Sequence, residues 1–151
     1  MRAQTSIDAL QTALSAEHAA VYLFGVLGAQ TSESEDPLVF AQITDAYATH
    51  RAWRDLLTAR LRDEGAEPAA AEPAYELPDT VPNVIGVEKA ACDLEAACAE
   101  TYAYVVANTA GADRSWAIEA LTRAAVRQTA LGLRPGSLPG AADLAGPSPT
   151  G

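Results

Sequence analysis

Four stretches of helical periodicity carry polar or ionisable side chains close to their midpoints, on or beside stripes that are otherwise apolar. Glu17 sits midway along the first stretch, and Tyr47, His50 and Arg54 near the middle of the second. Glu95 falls midway along the third, and Glu119 and Arg123 bracket the middle of the fourth. Buried charge without a partner costs several kcal/mol, so this pattern restricts the fold severely. The helices must bring these groups together in one layer, and a four-helix bundle does so near its centre, where such bundles build metal and cofactor sites.

The spacing of apolar residues predicts helices near 6–29, 36–64, 82–109 and 113–132. In the first, Ile7, Leu10, Leu14, Val21 and Phe24 share a stripe with Glu17, and Thr5 with Asp8 resembles a capping box. In the second, Asp36-Pro37 reads as a start, Gly65 as a stop, and the stripe as Phe40, Ile43, Tyr47, His50, Arg54, Leu57 and Leu61. The third has Val84, Val87, Ala91, Leu94, Cys98, Thr101 and Val105, with Glu95 beside Leu94. Asp113 is the expected cap of the fourth, with Trp116, Ala120, Leu121, Ala124 and Leu131 inward. Residues 65–81, GAEPAAAEPAYELPDTV, form a crossover that Tyr75 and Leu77 can hold against the surface. Extended at roughly 3.3 Å per residue it reaches over about 50 Å, and a helix of about 25 residues is only about 37 Å long. The chain can therefore return parallel to the preceding helix. The expected fold is all-α: two helical hairpins joined by a long crossover, with residues 1–133 as the bundle and 134–151 as a mobile tail rich in proline and glycine.

The chain has 151 residues, long enough for one domain with a real core. A net charge of -10, with Lys89 the single lysine, argues against nucleic acid and anionic membrane surfaces as partners. No apolar run approaches the roughly 20 residues of a membrane span, and MRAQTSIDAL lacks a signal-peptide pattern. Cytoplasmic placement is expected. Cys92 and Cys98 lie on different sides of one helix, so they cannot bridge each other and are expected to be reduced. Trp53 and Trp116 fall at the edge of their stripes, which suggests anchors of a two-fold homodimer.

The segments ALSAEHAAVYLFGVLGA (13–29), THRAWRDLL (49–57), PAYELP (73–78), LEAACAETYAY (94–104) and RAAVRQTALG (123–132) resemble the ferritin-like superfamily. They are closest to a mainly actinobacterial ferritin-like family designated a domain of unknown function. The resemblance implies a ferritin-like four-helix bundle. Members with two irons use one glutamate on each of two helices and Glu-x-x-His on each of the other two. Glu17 matches the first-helix glutamate, Glu95 the third-helix one and His50 the second-helix histidine. Tyr47 stands where that pattern has glutamate, and Glu119 is followed by Thr122 where it has histidine.

Three readings of the central residues follow. In the first, Glu17, Tyr47, His50, Arg54 and Glu95 form a polar network, with Arg54 bridging both carboxylates and no cofactor. In the second, Glu17, His50 and Glu95, with His18, hold iron, manganese or zinc. In the third they line a ligand pocket. The corresponding functions are a non-enzymatic binding or structural module, or an oxidoreductase with a reduced ligand set that activates oxygen or peroxide. Iron storage is disfavoured by the missing ligands. Tyr22, Tyr102 and Tyr104 read as core aromatics, and Glu119 with Arg123 as a surface pair.

Overall fold

A computed structural model describes residues 2–79 and 83–132. All of their regular structure is helical: α1 Arg2–Ala29, α2 Pro37–Asp63, α3 Val84–Asn108 and α4 Gly111–Ala130. The expected tail, 134–151, lies outside the described residues.

Local chemistry sets the helix ends. Helix α1 begins before the expected cap, so Thr5 and Asp8 lie inside it, and Gln4 Nε2 donates to Asp8 Oδ1 one turn on. Pro37 occupies the first turn of α2, where a missing N–H costs nothing. Gly65, at φ +75, ends that helix. Its N–H bonds Arg62 O while Ala66 N–H bonds Leu61 O, the paired bonds of a Schellman stop. Asn83 caps α3, its Oδ1 accepting from Gly86 N at 2.8 Å. Asp113 does not cap α4. The chain is extended at Thr109 and Ala110 and turns at Gly111, φ +57, so the helix starts two residues earlier than expected. Asp113 acts instead in the first turn, where its charge suits the helix dipole and its carboxylate faces Arg60 at 3.5 Å.

Helices α1 and α2 form one hairpin and α3 and α4 the other, and α1 packs against α3 to join them. Across the diagonal, α2 and α3 run parallel, as the crossover permits. The crossover lies along α1. Gln11 bonds it twice, donating to Glu67 O and accepting from Ala69 N. Tyr75 packs its ring on Tyr22 at 5.5 Å. The α2–α4 seam is wider and is spanned by long side chains. Gln42 Nε2 donates to Ala130 O, and Trp53 meets Trp116 edge to face at 6.0 Å. Both indoles are therefore drawn inward: Trp53 is 8% exposed and Trp116 is half-buried against the core. This corrects their expected role as interface anchors.

Two apolar clusters fill the bundle. One holds Leu10, Leu14, Leu57, Leu61, Val105 and Ala117, and the other is built on Phe24, Leu27, Ile43, Val87, Ala91 and Tyr102. Glu17 sits where α1 passes from the first cluster to the second.

Candidate functional site

Among the described residues, three carboxyl or imidazole side chains are fully shielded from solvent: Glu17, His50 and Glu95, each 0% exposed. They come from α1, α2 and α3 and form a line with the imidazole in the middle. His50 Nδ1 stands 2.6 Å from Glu17 Oε2, and its Nε2 stands 3.3 Å from Glu95 Oε1. A carboxylate can only accept, so both ring nitrogens donate only if the ring is an imidazolium. Burial by itself would lower the His50 pKa. The hydrogen bonds to Glu17 and Glu95, and their charges, outweigh it and raise the value to about 9. Phe24 stacks on the imidazole at 5.1 Å and Trp53 meets it edge on at 5.6 Å, which fixes the ring plane.

Two further residues complete the layer. Tyr102 donates its hydroxyl to Glu17 Oε1 at 2.6 Å. Burial, followed by the nearby Cys98 and Glu17, pushes its phenol pKa well up, so it stays a donor. Arg127, on α4, reaches across the wide seam. Its Nη1 is 3.6 Å from Glu95 Oε1, its Nη2 donates to Thr49 Oγ1 at 2.7 Å and lies 3.3 Å from Asp45 Oδ2, and its guanidinium lies over the Trp53 ring. With two carboxylates, an imidazolium and a guanidinium, the buried layer sums to zero charge. Cys98 adjoins it, and burial together with Glu17 and Glu95 holds its thiol protonated.

The structure thus brings Glu17, His50 and Glu95 together but not the other expected members. Arg54 faces outward, its Nε and Nη2 both bonding Asp55 Oδ1. Trp53 occupies the inward position that Arg54 was expected to fill. Tyr47 packs beside α1, 3.5 Å from the place a Cβ on Gly25 would take, under the Arg51 guanidinium. His18 is spent on the crossover, with Nε2 2.9 Å from Ala69 O. Glu119 and Arg123 pair with each other in solvent. Arg127 is the α4 residue whose side chain reaches Glu95, whereas Glu119 and Thr122, the place of a fourth-helix ligand pair, are exposed. Arg127 and Tyr102 were missed as members of the layer, although both lie within segments that carry the ferritin-like resemblance.

The fold family implies a two-iron centre, and these residues do not fit one. Both nitrogens of His50, the layer's histidine, are engaged by carboxylates, and a guanidinium stands against the second carboxylate, where it would repel a cation. Among the described residues, no group of three or more His, Cys, Asp or Glu side chains is disposed to hold a metal ion. Three buried polar atoms at or near the layer lack a hydrogen-bond partner: Glu95 Oε2, Arg127 Nη1 and Trp116 Nε1.

The family described as "Domain of unknown function (DUF4439)" matches residues 9–143. Among solved structures, the chain is similar to a conserved hypothetical protein from Mycobacterium tuberculosis. The two share 29% identity over 87% of this chain and 91% of that one, with a TM-score of 0.79. It is also similar to a bacterioferritin-related protein from Bacteroides fragilis, described as a dodecameric thioferritin. There the identity is 20% over 86% of this chain and 83% of that one, with a TM-score of 0.72. This second likeness establishes the ferritin-like fold. No curated protein matches the chain. Among the described residues, no helix is long and apolar enough to cross a membrane.

Proposed function

The chain belongs to the family described as a domain of unknown function, DUF4439, and from that premise we propose that it is a ferritin-like bundle in which a buried ion network replaces the metal pair. Glu17, His50, Glu95 and Arg127 form that network, and the protein acts as a binding and assembly module rather than an oxidoreductase. One observation carries this reading: His50 spends both ring nitrogens on the two carboxylates that a metal pair would use. The imidazolium and the guanidinium supply the positive charge that buried carboxylates require.

The test is elemental analysis of protein purified from cells grown with added iron, manganese and zinc. The expected result is a metal content far below one ion per chain, unchanged in a Glu17→Gln variant. Near-stoichiometric iron or manganese that is lost in Glu17→Gln would overturn the reading in favour of a metal-binding oxidoreductase.

Self-association is part of the same proposal. The Bacteroides neighbour is described as a dodecamer, and Leu38, Ile85, Ile118 and Val126 leave large apolar side chains at least half exposed. We expect a two-fold homodimer, and light scattering that gives the monomer mass at high micromolar concentration would contradict it. A cytoplasmic setting is part of the same proposal, and the free thiols of Cys92 and Cys98 are compatible with it.

A further inference from the structure

The net charge of -10 is unevenly placed. Crossover residues 64–79 hold five acids and no base, and α3 holds four acids against Lys89. Helices α2 and α4 each hold one more arginine than acids. The crossover lies on the edge formed by α1 and α3, and the wide α2–α4 seam is the opposite edge of the bundle. One side of the molecule is therefore strongly acidic and the other close to neutral. The seam side is also apolar. Leu38, Ala41 and Leu56 of α2 and Val126 and Ala130 of α4 are exposed. Ala41, Val126 and Ala130 ring a cleft of about 370 Å³ there. Leu38 and Leu56 are 18 residues apart, five helical turns, so they share one azimuth. Thr49, which bonds Arg127 of α4, lies on nearly the same azimuth and marks it as the seam side.

We infer that this face binds a second copy of the chain about a two-fold axis, α2 against α2 and α4 against α4. The inference rests on the self-association proposed above and assigns its surface. Charge selects the face. Seam against seam leaves the two crossovers outermost, about 40 Å apart for two bundles each two helix diameters thick. The Debye length is about 8 Å at physiological ionic strength, so their repulsion is screened. Packing through α3 or the crossover would bring the acidic sides within that length. Exposed Ile85 stands one turn from Glu88 on that side. The area suffices. About 20 residues of α2 and α4 run side by side, a face of roughly 30 by 20 Å. Over two copies that is about 1,200 Å², within the range of specific interfaces. An axis crossing α2 midway between Leu38 and Leu56, at the level of Tyr47, sets Leu38 and Ala41 of one copy against Leu56 of the other. Helices α2 and α4 are antiparallel, with Gln42 level with Ala130 and Asp45 with Arg127. The axis therefore meets α4 near Ala125, and Val126 faces its own copy.

Light scattering on the full chain gives the mass, and a short bis-maleimide on variants with one added surface cysteine locates the contact. Cys92 and Cys98 are buried, so the wild type is the blank. Val126→Cys is expected to give a covalent dimer, and Ile85→Cys, on the acidic side, is not. Val126→Glu sets like charges against each other at the axis. It should raise the dimer dissociation constant about a hundredfold or more, with the helical circular dichroism unchanged. Leu56→Glu is the second variant should Val126→Glu fail to fold. A wild-type monomer at high micromolar concentration would overturn the inference together with self-association. A wild-type dimer that links through Ile85→Cys rather than Val126→Cys, or that persists in a folded glutamate variant, would overturn the inference alone.

Discussion

Replacing His50 with leucine is expected to destabilise the bundle by about 3–5 kcal/mol at neutral pH, the cost of removing one partner from a buried ion pair. Leucine matches the imidazole roughly in volume, so little of the loss comes from a cavity. The effect is electrostatic: Glu17 keeps only the Tyr102 hydroxyl, and Glu95 keeps only the Arg127 guanidinium. Neither carboxylate reaches water, since both are fully buried. Arg54→Met is the control on the same helix. Its guanidinium pairs with the half-exposed Asp55 carboxylate, and exposed pairs contribute only ~0–1 kcal/mol. Urea unfolding measures both variants. Equal, small losses would show that the buried layer is not held by charge, and a large loss in Arg54→Met would return that residue to the centre.

The confusion of Arg54 with the centre has a simple geometric cause. With His50 inward, a helix allows either the residues at i−3 and i+4 or those at i−4 and i+3 to share its face. The first choice gives Tyr47 and Arg54, and the second gives Ala46 and Trp53. Both complete an apolar repeat with Ile43, Leu57 and Leu61, and the sequence of α2 alone does not choose. The choice is made by α4. It stands far enough from α2 that two indoles fit edge to face between them, and that spacing is a tertiary property. The same shift of one position separates Thr101 from Tyr102 on α3, where the larger side chain takes the inward place and supplies a hydroxyl to Glu17.

Other features were legible because local chemistry decides them. Pro37 and Gly65 bound α2 wherever it packs. The length of the crossover permits the parallel relation of α2 and α3. Glu17, His50 and Glu95 were recognisable as buried because no outward phase of their helices accommodates both them and their apolar neighbours. Arg127 left a readable trace: together with the buried Gln128 it interrupts the run Ala117, Ala120, Ala124, Leu131 on α4. The trace was obscured because Glu119 and Arg123, one turn apart, form a more conspicuous pair that the fold leaves in solvent. A polar pair nearer the helix midpoint thus outweighed an inward arginine nearer the end. The pairing of α3 and α4, with Cys92 against Gln128, leaves the Arg127 side chain within reach of Glu95 near the centre of α3.

The charge state of His50 gives the largest expected response to solution conditions. Its pKa in the folded protein is about 9, against ~6.5 when unfolded. The native state therefore holds the proton more tightly, and the stabilisation is complete below about pH 6.5. It declines as pH rises through about 9, and amounts in all to ~3 kcal/mol. About 2 kcal/mol of this should disappear between pH 6.5 and 8.5. In that window the His50 loss is the largest: Cys92, Cys98 and Tyr102 are also raised in the fold, but the unfolded cysteines are only half ionised at ~8.5 and tyrosine ionises near ~10. Within the window, wild-type stability in urea should fall with pH, and the His50→Leu variant, lacking the titrating ring, should show a much shallower fall. A neutral His50, bonded through one nitrogen and shielded by burial alone, would have a lowered pKa, and its effect on stability would be confined to below about pH 6.5 and leave this window nearly flat. Wild-type stability that falls no more than that of His50→Leu from pH 6.5 to 8.5 would thus remove the imidazolium from the layer, and with it the main support for a cation of the protein's own in place of a metal.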